Sequence, residues 1–283
     1  MIPHDDEEQH PSDRTPILDH KHYDQPTVFT AENLLREARR QKDIGPGRVP
    51  AVCVLDPDGD LEDYLHATGR AQYNQTWACY HTRLSTFIHE EITYGIVGRV
   101  VGAPFAVLVA EELFASGCRL VISVTSAGQI LPVGNPPYFM LIERALRDEG
   151  TSYHYLPPAP YSELRPALST MVRAAWSLAG VLLHAGASWT TDAPFRETEA
   201  AIAAHRAEGI LAVEMEAAAL YALATAKQHD IVCFAHITNQ MAQTEGDFEK
   251  GIAQGSIATL EVIGRTAHAW LSKRQSSTTR STT

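Results

Sequence analysis

Apolar residues along this chain fall into short continuous runs, separated by longer stretches with helical spacing. Ala51-Val52-Cys53-Val54-Leu55 has no polar alternation, which predicts a strand covered on both faces. Asp56-Pro57-Asp58-Gly59-Asp60 follows it and predicts a turn. A second buried strand is predicted over Arg119–Val124, stopped by Ser126-Ala127-Gly128, and a third over Ile231–Ile237. Helices are predicted over Ala106–Ser116, with Gly117 at the end, over Pro166–Ala185, after Glu216, and from about Phe248 to Leu271. Strands without alternation, separated by helices, imply a covered central sheet of the α/β class. No internal repeat is visible.

The flanks differ from this pattern. Residues 1–27 are rich in Asp, His, Pro and Glu and read as a polar arm, mobile or wrapped on a neighbouring subunit. Residues 273–283 are polar and low in complexity and read as a disordered tail. Residues 28–272 are left as one domain. A chain of 283 residues can bury one large core, or at most two domains.

Charge and cysteine content narrow the function classes. A net charge of −11 disfavours a general nucleic-acid backbone binder. No apolar run is long enough to span a bilayer, and the first 22 residues are polar and acidic rather than signal-like, so a cytoplasmic location without membrane contact is expected. Cys53, Cys118 and Cys233 lie in or beside apolar strand-like runs and read as buried reduced thiols, with Cys79 as the fourth cysteine. With no CxxC pair, a structural zinc site is not expected. No cofactor is expected either.

The segment Val213-Glu214-Met215-Glu216-Ala217-Ala218-Ala219-Leu220-Tyr221 carries most of the chemistry. Alanine and leucine favour helix after Glu216, and a carboxylate in the first turn suits the helix dipole. That accounts for one carboxylate. Two of them entering an otherwise apolar strand-to-helix junction need hydrogen-bond donors, and a polyol ligand supplies such donors. An amphipathic core helix with a charged first turn is the competing reading of the same residues.

At these residues the chain resembles the nucleoside phosphorylase superfamily, in particular the branch of purine nucleoside and uridine phosphorylases. The resemblance extends over roughly residues 50–270. It includes Val101-Gly102-Ala103-Pro104-Phe105 with Glu111-Glu112-Leu113, the turn Thr125-Ser126-Ala127-Gly128, and the loop Thr190-Thr191-Asp192-Ala193-Pro194-Phe195-Arg196. It ends with His236-Ile237-Thr238-Asn239. It implies a mixed central sheet flanked by helices and a homo-oligomer, dimer or hexamer, whose sites borrow residues from a neighbour. It also implies that Met215 packs on a ribose face and that Glu216 accepts from sugar hydroxyls, with Glu214 beside them. Ser126 and Gly128 then form an anion or sugar turn, Phe195 and Arg196 hold the base, and Asn239 meets the departing edge of the base.

The chain also departs from the family pattern. Gly59 and Ser123 stand where phosphate-binding arginines are expected, and Asn239 stands where an Asp protonates the leaving purine. Arg83 is the candidate replacement cation, in reach from the same or a neighbouring subunit. Loss of the two arginines resembles the nucleosidase branch, where a carboxylate after the first strand activates water, and Asp60 falls at about that position. A solvated turn and a calcium loop are the other readings of Asp56, Asp58 and Asp60, the last without the twelfth-position Glu. The expected activity is N-glycosidic cleavage of a nucleoside, by phosphorolysis with phosphate as co-substrate. Hydrolysis through Asp60 is the alternative, and a non-catalytic nucleoside-binding protein is the third reading.

Overall fold

A computed structural model describes residues 15–241 and 245–280, with side chains to 274. Ten strands form one mixed sheet. They are β1 (Val52–Asp56), β2 (Ala71–Tyr73), β3 (Ser85–His89), β4 (Ile92–Gly98), β5 (Leu120–Gln129), β6 (Tyr138–Asp148), β7 (Tyr161–Glu163), β8 (His184–Thr191), β9 (Ile210–Glu214) and β10 (Asp230–Asn239). The helices are α1 (Ala31–Lys42), α2 (Asp60–Ala67), α3 (Ala103–Ala115), α4 (Pro166–Leu178), α5 (Glu199–Ala207), α6 (Ala217–Lys227) and α7 (Ser256–Arg280). The fold is the expected α/β arrangement with a mixed, helix-flanked sheet.

The long strand β5 organises the sheet. One edge pairs in parallel with β10, from Leu120–Asp230 to Ala127–Ile237. The other edge is divided between two partners. Its first half pairs in parallel with β1, from Val52–Leu120 to Leu55–Ser123. Its end pairs antiparallel with β9, at Gly128–Val213 and Gln129–Ala212. Val124 to Ala127 therefore face a gap where β1 and β9 part. Strands β10, β6, β8 and β9 continue from β5 and return to it, closing a five-strand ring. From β1 the sheet runs outward through β4, β3 and β2. Crevices at the carboxyl ends of parallel strands, where the strand order divides, are the usual ligand sites of α/β sheets.

Helix α6 is buried along Ala217–Ala224, because its alanines let it approach both α3 and the sheet. Tyr221 is its one large polar contact with the sheet. Its hydroxyl donates to the Ile142 carbonyl at 2.5 Å and accepts the Cys233 N–H at 3.1 Å. Helices α4 and α7 pack together, and α2 packs against α7. All four cysteines are free and buried.

The structure shifts several expected boundaries. Residues Thr125–Gly128 are strand, not a stop, because β9 and β10 supply the ladder partners that override a Ser/Gly turn preference. The helix expected to reach Ala185 ends at Leu178, with Gly180 left-handed at φ 66°, and His184 opens β8. Residues Phe248 to Gly255 are not part of α7. It starts at Ser256 and runs to Arg280. The arm falls partly outside the described residues, and α1, which lies after it, is capped by the Thr30 hydroxyl at the Asn33 N–H, 3.2 Å away.

Tyr221→Phe leaves the Cys233 N–H and the Ile142 carbonyl without their buried partner. It should lower stability by about 1–3 kcal/mol in urea unfolding while keeping the same denaturant slope.

Candidate active site

The antiparallel register of β9 carries the chain after Val213 back along the open part of the β5 edge. Glu214 is buried there with both oxygens occupied. Its Oε1 accepts from Ser188 Oγ at 3.0 Å and Thr190 Oγ1 at 2.5 Å. Its Oε2 accepts the N–H groups of Glu216 at 2.8 Å and Ala217 at 2.7 Å. This carboxylate caps α6 and ties it to β8. Each oxygen of Glu214 thus accepts two hydrogen bonds from the protein.

Glu216 is equally buried; the Gly102 N–H donates to its Oε1 at 2.7 Å, and the Thr125 side chain and the Met215 backbone also favour its charged form. Its Oε2 is buried without a hydrogen-bond partner. Burial first, and the adjacent Glu214 next, raise its pKa to about 8. Burial raises Glu214 as well, against the pull of its donors. Four donors on Glu214 favour its charged form against the effect of burial, whereas Glu216, raised to about 8, is the member of the pair that holds a proton at neutral pH. Met215 between them is half-buried.

A second cluster lies at the ends of β1, β5 and β10. Lys250 Nζ bridges Asp58 Oδ2 at 2.8 Å and Asp60 Oδ2 at 2.5 Å. The Ser126 hydroxyl donates to the same Asp58 oxygen. Asp56 Oδ2 accepts the Glu62 N–H at 2.9 Å, and burial, with the nearby carboxylates, raises this Asp to about 7. His236 stacks on Phe139 with ring centroids 4.3 Å apart, and burial lowers it to about 4, so the ring stays neutral. Asp56, Asp58, Asp60, Thr125, Ser126 and His236 line a narrow cavity with room for about one water molecule. A wider cleft of 680 Å³, lined by residues of α4 and α7 with Glu90, shares no residue with this chemistry. Among the described residues no group of three or more His, Cys, Asp or Glu side chains is arranged to hold a metal ion.

Lys250 and His236 were missed from the sequence. Lys250 lies 190 residues from Asp60, in a segment whose sequence predicts the start of a helix. That segment is a strap: Gly251, Ala253, Gln254 and Gly255 all have positive φ, and the Glu249 N–H bonds the Thr238 carbonyl at 2.8 Å. Glycine is required at position 255, where a Cβ would stand 2.3 Å from His236 Cε1.

The other expected residues divide into near and far. Asn239 ends β10 beside Gly128, with Oδ1 accepting the Met241 N–H at 2.9 Å and Nδ2 donating to Thr238 Oγ1 at 3.1 Å. One amide hydrogen remains for a ligand. Phe195 is 99% exposed and Arg196 is exposed, so the loop expected over the base stands open here. Arg83 lies over the Tyr73 ring at 5.1 Å, in a pocket with Lys42 and Trp77 that contains neither Ser126 nor Asp60. Arg99 does approach Gly59, but its guanidinium is held by Asp63 at 2.5 Å.

The buried, half-partnered carboxyl of Glu216 stands at the opening of this divided strand edge. The family model described as the phosphorylase superfamily matches residues 50–265, and the chain belongs to that superfamily. Among solved structures, a purine nucleoside phosphorylase from Toxoplasma gondii in complex with immucillin-H matches with a TM-score of 0.64 at 16% identity. That match covers 83% of this chain and 94% of that one, and the likeness is one of fold. Fold and family are those of enzymes of the nucleoside phosphorylase and nucleosidase type. Among the described residues no helix is long and apolar enough to cross a membrane.

Because Glu216 binds its proton more tightly folded than unfolded, the stability it contributes is present at acid pH and lost as pH rises towards about 8. Glu216→Gln cannot ionise. Its melting temperature relative to the parent should therefore climb between about pH 5 and about pH 9, and a flat difference would contradict a protonated Glu216.

Proposed function

We propose that this protein cleaves the N-glycosidic bond of a nucleoside. The observation that carries this reading is Glu216, whose buried Oε2 lacks a partner beside the open edge of β5. A carboxyl group kept dry and half-satisfied is completed by a ribosyl hydroxyl, with the Met215 side chain against the sugar face. The base then extends toward Asn239 and Gly128, and the loop with Phe195 and Arg196 closes over it. Cleavage breaks the C1′–N bond, the bonding pair leaves with the base, and the acceptor oxygen bonds to C1′ through an oxocarbenium-like transition state.

The acceptor is phosphate or water. Family precedent supports phosphorolysis. The carboxylates around Ser126, the engagement of Lys250 and Arg99 with acidic partners, and the water-sized cavity support hydrolysis, with the water's proton passing to a carboxylate of the cluster such as Asp60. Sites built from two neighbouring subunits are part of this reading, as is a cytoplasmic location.

Two experiments test it. Glu216→Ala should lose about 30- to 1000-fold in base release, the worth of about 2–4 kcal/mol of transition-state hydrogen bonding, with unchanged circular dichroism. Near-parental turnover would remove ribose binding from Glu216. A panel of nucleosides addresses the base. Asn239 donates a hydrogen bond but no proton, so uracil and 6-oxopurine nucleosides, whose bases leave as stabilised anions, should turn over faster than adenosine. Efficient adenosine cleavage that survives Asn239→Ala would contradict this assignment.

A further inference from the structure

We propose that Asp58 is the resident anion of this site, the side chain that denies it to a free oxyanion such as phosphate. Two donors converge on one Asp58 oxygen, the Ser126 hydroxyl and the Lys250 ammonium, the latter at 2.8 Å. This is the donor set a tetrahedral oxyanion would use, and it is already spent on a carboxylate of the chain itself. The neighbours raise the barrier further. Asp60 shares Lys250 at 2.5 Å, Asp56 forms the inner wall of the same cavity, and Arg99 is bound to Asp63. Glu62, next to Asp56, is fixed by the Ser85 hydroxyl at 2.8 Å and the Gly98 N–H at 3.1 Å. An entering dianion meets several carboxylates and one lysine, and must displace Asp58 to reach either donor.

The arrangement is built to persist when Asp58 is removed. Lys250 is carried by the strap, whose left-handed residues Gly251, Ala253, Gln254 and Gly255 fix its path. The Glu249 N–H and the Ser256 hydroxyl anchor the two ends of the strap, to the Thr238 carbonyl at 2.8 Å and the Asp60 carbonyl at 3.2 Å. Ser126 is fixed by the pairing of β5 with β10. Asp58 itself projects from the turn between β1 and α2, with its side chain 27% exposed. Removing its carboxylate uncovers a hydroxyl and an ammonium that stay in place, which is a latent oxyanion site. In combination with the nucleoside reading, on which this step rests, the acceptor at C1′ is a neutral molecule, water.

The test is inorganic phosphate binding by calorimetry at fixed ionic strength. The parent should bind phosphate at least about 10-fold more weakly than Asp58→Ala, whose constant should fall on the order of millimolar. Asp58→Asn, which keeps the side-chain volume, should lie between them. Adding Lys250→Gln to Asp58→Ala should erase the gain. Equal phosphate affinity in the folded parent and Asp58→Ala overturns the proposal, and so does a gain that survives loss of Lys250. In parent crystals soaked in phosphate, Ser126 should keep its bond to Asp58. Phosphate seated on Ser126 there overturns the proposal without any variant. A protein that cleaves no nucleoside but gains phosphate binding in Asp58→Ala would refute the nucleoside reading and leave the resident anion standing.

Discussion

The buried carboxylate of Glu214 holds the junction on which the site depends. It draws donors from β8, through Ser188 and Thr190, and from the first turn of α6, through two backbone N–H groups. A buried carboxyl group of this kind is tolerated only when its polar atoms are partnered, and here four donors serve it. Once Glu214 is so fixed, the chain can turn from β9 into α6 only along the unpaired stretch of β5. Glu216 is thereby delivered to the Gly102 N–H at the far side of the gap. The two glutamates are separated by one residue and have opposite tasks. One completes the fold; the other is left incomplete by it.

How much of this was legible in the sequence follows from how local each signal is. The strands β1, β5 and β10 announce themselves as unbroken apolar runs, and α6 by its alanines, because burial and helix propensity act residue by residue. The extension of β5 through Gly128 was hidden, since local turn preference and strand pairing disagree there and pairing with distant strands wins. The division of labour between Glu214 and Glu216 was hidden for a related reason. The donors that neutralise Glu214 lie 24 and 26 residues earlier on another strand. Lys250 was the least legible of all. Its segment has no period, and its carboxylate partners sit beyond β1, at the other end of the domain in sequence.

Two carboxyl clusters of different character now stand side by side. Around Glu214 and Glu216, burial is deep and dominates the electrostatics, with hydrogen bonds opposing it. Around Asp58 and Asp60, exposure is partial and a single ammonium organises the group. The first suits a ligand whose hydroxyl groups can accept from a carboxyl group as well as donate to it. The second consumes its own donors internally, which leaves a cavity of water size lined by acceptors and a neutral imidazole.

The ring closure of β5, β10, β6, β8 and β9 also bears on how copies of this chain can meet. A closed ring leaves no unpaired strand of its own, so the free rims of the sheet are pushed out to β2 and β7, each three residues long. Rims that short present few backbone donors and acceptors to another chain. Any contact between copies would therefore run through side chains on helices and loops, not by joining one sheet to the next. The same geometry protects a strand-rich protein from fibrous aggregation.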